Sequence, residues 1–218
     1  MLRANLTSLP NLLTMSRIAC IPIIVVLFYI PFGWAAWVAC AVFTAAAITD
    51  FLDGYFAREL AEVSSLGKLL DPIADKMLVA SILLMLVGFG RLEGLSIIPA
   101  LVILLREIMI SGLREYLAGF GSTGLPVTTL AKWKTGVQMT ALGFLIVGDA
   151  GPGWLPVTLI GVLLIWAASA LTLVTGWQYV REGVRQMLSE KTPAPKAKRP
   201  PRKGTAKRPS TGATGTAG

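Results

Sequence analysis

An all-α integral membrane protein with six transmembrane helices is the architecture this sequence predicts, and three observations carry it. Hydrophobic residues make up 54% of the 218 positions and charged residues only 15%, whereas soluble domains carry about a quarter charged. The apolar residues gather into six runs, each about 20 residues long, enough to cross a hydrocarbon core of about 30 Å. The cations flanking these runs lie almost entirely at one set of ends.

The first run, Asn11–Ile30, closes at Pro31-Phe32-Gly33, and the second, Trp34–Ala57, is followed by a short polar turn. The third, Leu69–Phe89, ends in Gly88-Phe89-Gly90, and the fourth, Leu95–Tyr116, runs into a break from Gly119 to Pro126. The fifth is Leu130–Val147, and the sixth, Trp154–Tyr179, begins after Gly151-Pro152-Gly153. Each break carries the Gly and Pro that interrupt helices. Helices are expected because a spanning segment must satisfy its own backbone, and no ten-residue alternation suggests a barrel.

Arg3, Arg17, Arg58, Lys68, Lys76, Arg114, Lys132, Lys134, Arg181 and Arg185 share one set of ends, against Arg91 on the other, beside Glu93. The excess of cations on the cytoplasmic side of membrane proteins then places both termini in the cytoplasm. A cleaved signal peptide is not expected: the polar lead is long, Arg17 sits inside the first run, and no small-residue cleavage site follows.

The formal charge of +8 is uneven. Met1 to Glu190 carries 12 Lys/Arg and 12 Asp/Glu, and the surplus lies wholly between Lys191 and Arg208. The chain thus divides into a neutral membrane body, 1–188, and a basic cytoplasmic tail, 189–218, expected to be disordered because it has no apolar face. The tail either leans on an anionic leaflet, at about 1 kcal/mol per cation, or is a solvated extension. A neutral body offers no positive face to phosphates, so no nucleic-acid partner is expected. The absence of His excludes His-based triads and His-ligated metals. Cys20 and Cys40 lie in apolar runs and suggest neither disulfide nor zinc.

The chemistry is expected at carboxylates that interrupt apolar sequence. Asp50 and Asp53 are three residues apart, and Asp71 and Asp75 are four apart. Either spacing sets a pair on one helix face. The turn from Glu59 to Ser65 is short, so the two helices are expected as antiparallel neighbours with four carboxylates converging at their cytoplasmic ends. An Asp at the centre of a spanning helix costs about 2.5–3.5 kcal/mol, and clustering adds repulsion that Arg58, Lys68 and Lys76 offset only in part. An oxygen-only cluster suits a hard divalent cation, Mg²⁺ or Mn²⁺. Four carboxylates suit two ions about 3.5–4 Å apart, which stabilise attacking and leaving oxygens in a phosphoryl displacement. Structural alternatives stand beside this: Asp71 as a helix N-cap with Pro72 in the first turn, and Asp50 and Asp53 paired with Arg58.

The pattern Asp50-x2-Asp53-Gly54-x2-Ala57-Arg58-x8-Gly67-x3-Asp71-x3-Asp75 resembles the signature of the CDP-alcohol phosphotransferases, with all eight fixed residues present over 26 positions. The resemblance implies a six-helix membrane enzyme, usually a homodimer, that moves a phosphatidyl or related group from a CDP-linked donor to an alcohol and releases CMP. It implies that Asp50, Asp53, Asp71 and Asp75 ligate two metal ions and that Asp75 is the general base for the acceptor hydroxyl. Gly54 and Gly67 match glycines that let the nucleotide approach closely, and Ala57 and Arg58 complete the donor site.

Two further stretches are similar to the bacterial phosphatidylglycerophosphate synthases within that family. Asn11, Thr14 and Arg17 share a face of the first helix and match residues that line the CDP-diacylglycerol site; the alternative is that Thr14 bonds its own helix and Arg17 snorkels outward. Arg106, Arg114, Lys132 and Lys134 gather on the aspartate side as a basic pocket for the phosphate of glycerol 3-phosphate. Against this, the lysines are cytoplasmic anchors and Arg106 pairs with a carboxylate. This resemblance implies phosphatidylglycerol phosphate synthesis in the bacterial inner membrane, among membrane lipids, with the site facing the cytoplasm. Rival expectations are another acceptor (serine, inositol phosphate or phosphatidylglycerol) and, from a different class, a cation transporter. Gly119-Phe120-Gly121-Ser122-Thr123-Gly124 fits a dinucleotide fingerprint only by letter, since no strand precedes it and Leu125-Pro126 follows.

Overall fold

The computed structural model describes residues 9–60, 65–119 and 129–190, with side chains described for 12–49, 70, 72–116, 130 and 132–185. Among the described residues six long helices form: α1 Leu9–Phe28, α2 Gly33–Leu60, α3 Ser65–Gly88, α4 Ile97–Gly119, α5 Thr129–Val147 and α6 Val157–Glu190. Short 3₁₀ turns at Gly94–Ser96 and Gly148–Ala150 lead into α4 and out of α5, and no strand occurs among the described residues. Two of the helical stretches, Gly94–Tyr116 and Val157–Arg185, are by themselves long and apolar enough to cross a membrane.

Each expected segment corresponds to one helix, with shifted ends. The sixth starts at Val157 rather than Trp154, because Leu155 N–H donates to Pro152 O at 2.9 Å and closes a turn first. It also continues past Tyr179 to Glu190. The third starts at Ser65, so Asp71 lies well inside α3 and Pro72 is an interior proline. The N-cap alternative for Asp71 therefore fails. Pro72 has no N–H to donate to the carbonyl one turn earlier, a device commonly found at bends.

The helices form two triplets. α1 packs on α2 and α3, α6 packs on α5 and α4, and contacts of α2 with α5 and α3 with α4 join them. Ile24, Phe43, Leu78, Ile82, Leu86, Ile103, Leu142, Leu145 and Ile165 build a continuous buried core. The outward faces are equally apolar, with Leu84, Leu105, Leu163 and Leu173 exposed, while Thr14, Arg17, Arg106, Lys134, Gln138, Thr172 and Thr175 are buried. Polar side chains inside and leucines outside invert the pattern of a water-soluble bundle and suit a lipid surround. Small residues bring α5 and α6 close: a Cβ on Gly161 would lie 2.8 Å from Leu145 Cγ, the type of contact on which apolar helices associate.

At the end remote from the aspartates, Arg91 ties the α3–α4 connection to α5. Its Nη1 donates to Leu145 O at 3.1 Å and to Ile146 O, satisfying carbonyls at the end of α5. The guanidinium carbon sits 5.2 Å from the Phe28 ring centroid, a cation–π distance. Burial pulls the Arg91 pKa below its ordinary value, and the nearby Asp149 charge opposes that shift. Gly148 permits the close approach, with φ +49° and a would-be Cβ 3.4 Å from Arg91 Nη1. Arg91→Ala is expected to destabilise the protein by about 1.5–3 kcal/mol, the worth of hydrogen bonds from a charged donor. A lowered melting temperature in detergent is the measurement.

Candidate functional site

The two aspartate pairs fall on continuous helix. Asp50 and Asp53 lie in α2 and Asp71 and Asp75 in α3, so the three- and four-residue spacings act as helical spacings, and four residues connect the helices. The side chains of Asp50, Asp53 and Asp71 lie outside the described ones, as do those of Asn11, Ala57 and Arg58 and the surroundings of Gly54 and Gly67. The pairing of Asp50 and Asp53 with Arg58 lies there too, as do the 120–124 part of the glycine stretch and the tail from Lys191 onward.

Asp75 is described, and its side chain is a third exposed. Lys76 Nζ donates to Asp75 Oδ2 at 3.2 Å and also faces Glu107 Oε2 at 3.5 Å. Glu107, on α4, is the centre of a charged cluster: Lys134 Nζ on α5 pairs with its Oε1, and Arg106 Nη1 lies 3.3 Å from the same oxygen. Three cations from three helices therefore converge on one carboxylate, one helical neighbour away from Asp75.

Arg106 is braced further. Its Nη2 donates to Thr175 Oγ1 at 3.2 Å, and its guanidinium carbon lies 5.7 Å from the Tyr179 ring centroid. Thr175 hands its own proton to backbone, with Leu171 O at 2.8 Å. Gly176 leaves room for the stem of Arg106, since a Cβ there would meet Arg106 Cγ at 3.2 Å. Polar atoms nearby on the same helices remain buried without hydrogen-bond partners among the described residues: Arg106 Nε, Gln138 Oε1 and Thr172 Oγ1. Gln138 lies one turn from Lys134 on α5 and on the same face. Buried polar atoms seldom stay unpaired in a resting structure, and such sites commonly take water or a polar ligand.

The structure thus brings Arg106 and Lys134 together and leaves Arg114 and Lys132 exposed. The alternative that Arg106 pairs with a carboxylate is also met, through Glu107. Thr14 and Arg17 are both buried, Arg17 almost completely, and both are partnered. Snorkelling is therefore overturned for Arg17. Sequence reasoning left Glu107, Thr175, Tyr179 and Gln138 without a role. Glu107 had a signal, an acid beside an arginine in apolar sequence. Thr175 and Tyr179, one turn apart on an apolar helix, had none.

A family model described as CDP-alcohol phosphatidyltransferase matches residues 7–174. A CDP-diacylglycerol–glycerol-3-phosphate 3-phosphatidyltransferase of Rickettsia bellii is 45% identical over 174 residues, covering 80% of this chain and 94% of its own. Proteins of the same name from Pseudomonas fluorescens, 42% identical with 80% and 89% covered, and Cereibacter sphaeroides, 38% identical with 84% and 99% covered, are similarly close.

Proposed function

The chain belongs to the CDP-alcohol phosphatidyltransferase family, and from that premise we propose that it transfers the phosphatidyl group of CDP-diacylglycerol to glycerol 3-phosphate. The products are phosphatidylglycerol phosphate and CMP. The single observation that carries the acceptor is the buried cationic cluster. Glu107 and Asp75 are the only carboxylates paired with Lys76, Arg106 and Lys134 among the described side chains. With Arg106 and Lys134 buried and Lys76 partly so, that surplus of positive charge is costly in an apolar bundle until an anion arrives. A phosphate-bearing alcohol brings the charge, whereas serine, a zwitterion, does not. Relatives over 38% identical and bearing the glycerol-3-phosphate name support the same choice.

The aspartates fit a divalent metal. The donor set is all oxygen, both helices run unbroken through it, and Asp75 is accessible with Oδ2 alone engaged by Lys76 among the described residues. Asp50, Asp53, Asp71 and Asp75 would hold Mg²⁺ or Mn²⁺, two ions by the carboxylate count. When bound, the metal neutralises the pyrophosphate and stabilises charge developing on departing CMP.

The protein's own residues supply the rest. Lys134 and Arg106 hold the acceptor's phosphate, Asn11, Thr14, Arg17, Gly54, Ala57, Arg58 and Gly67 line the donor, and Asp75 takes the proton of the acceptor hydroxyl. That oxygen forms its bond to the phosphatidyl phosphorus as the bond from phosphorus to the CMP oxygen breaks. Asp75 works here by position, since both reactants are held. The six helices span the bacterial inner membrane with both termini and the site in the cytoplasm, the body ends near residue 188, and the enzyme acts as a homodimer.

Purified protein with CDP-diacylglycerol, Mg²⁺ and a panel of acceptors tests this directly. CMP release and phosphatidylglycerol phosphate are expected with glycerol 3-phosphate. Product with serine, inositol phosphate or phosphatidylglycerol instead would overturn the acceptor.

A further inference from the structure

We propose that Glu107 is the positioning residue of the acceptor pocket. Its carboxylate holds the Lys134 ammonium and the Arg106 guanidinium where an acceptor phosphate meets them, and ties both to the helix that carries Asp75. The inference rests on the glycerol 3-phosphate reading and adds a residue to which that reading gives no task.

The geometry points to Glu107 because both its oxygens are committed. Oε1 receives Lys134 and Arg106, and Oε2 faces Lys76 at 3.5 Å. A carboxylate only accepts, so cations from α3, α4 and α5 lock its orientation, and it locks theirs in return. Arg106 is spent largely on bracing, held also by Thr175 and Tyr179. Lys134 is different. An ammonium has three N–H donors, and Glu107 is the carboxylate paired with it, which leaves donors for a phosphate. A lysine on a four-carbon stem loses much rotational freedom when it grips a ligand. Glu107 removes that freedom before the ligand arrives, which lowers the cost of binding. Through Lys76, which touches Asp75 at 3.2 Å, the same carboxylate sets the phosphate end of the acceptor relative to the base.

The test is a kinetic cycle on the full chain in detergent micelles containing CDP-diacylglycerol. Glu107→Gln is expected to raise KM for glycerol 3-phosphate about tenfold, the weight of one lost charge-assisted contact, while KM for CDP-diacylglycerol stays within about twofold. Glu107→Asp, which keeps the charge but withdraws it by one carbon, is expected to recover part of the loss. In a Lys134→Met background, Glu107→Gln is expected to change the acceptor KM less than about twofold, because the ammonium it positions is gone and Arg106 stays braced by Thr175 and Tyr179. If the Gln variant does not fold, the same cycle run with Glu107→Asp decides the matter. A rise in both KM values together, no change in either, or a full effect persisting without Lys134 would each overturn the inference. Wild-type protein inactive with glycerol 3-phosphate overturns the function and this inference with it. Active wild type with unaltered variants overturns this inference alone.

Discussion

Asp75→Asn is expected to lower turnover by about 10²–10⁴-fold, the range for removing a general base. The carboxamide keeps the shape of the side chain but cannot take the acceptor proton, and it is a poorer ligand for a hard cation. Folding should survive. The side chain is a third exposed, and Lys76 keeps its second carboxylate partner, Glu107, at 3.5 Å. CMP release measured beside the melting temperature separates chemistry from stability. Wild-type turnover in the Asn variant would place the base elsewhere.

Lys134→Met is expected to raise KM for glycerol 3-phosphate about 10- to 100-fold, the loss of one or two hydrogen bonds from a charged donor to phosphate. Methionine has nearly the same length and fills the same buried volume. Glu107 would not be orphaned, because Arg106 and Lys76 still hold it, so the usual penalty for breaking a buried ion pair is softened. Lys132 is exposed two residues away, and Lys132→Met is expected to shift the same constant much less. Equal effects at the two positions would mean that the phosphate sits on the surface rather than against Glu107.

Much of the helical framework was legible residue by residue. An apolar run bounded by Gly and Pro has one outcome in a medium without water, so every expected segment returned as a helix. Ends moved where local turn chemistry won, as at Pro152 to Pro156, or where a polar stretch continued a helix already begun, as in α3 before Asp71 and α6 after Tyr179. Proline after Asp71 also read as a first-turn signal, and the extent of α3 makes it an interior residue instead.

The site divided differently. Spacing along a single helix is a property of local sequence, so the two aspartate pairs were readable without a fold. Which cations meet which carboxylate is not, because Lys76, Arg106 and Lys134 stand on three helices whose rotations are set by packing. Four basic residues on one membrane face looked alike in sequence. Burial separated Arg106 and Lys134 from Arg114 and Lys132, and it turned Glu107 from the neighbour of an arginine into the centre of the cluster. The sequence by itself determined the helices, their apolar surroundings and the helical spacing of the aspartates, since hydropathy and helical period act over a few turns. Only the tertiary structure decided the partners of the buried charges. A charge inside an apolar bundle must find its counterpart across helices, and that choice is made by packing.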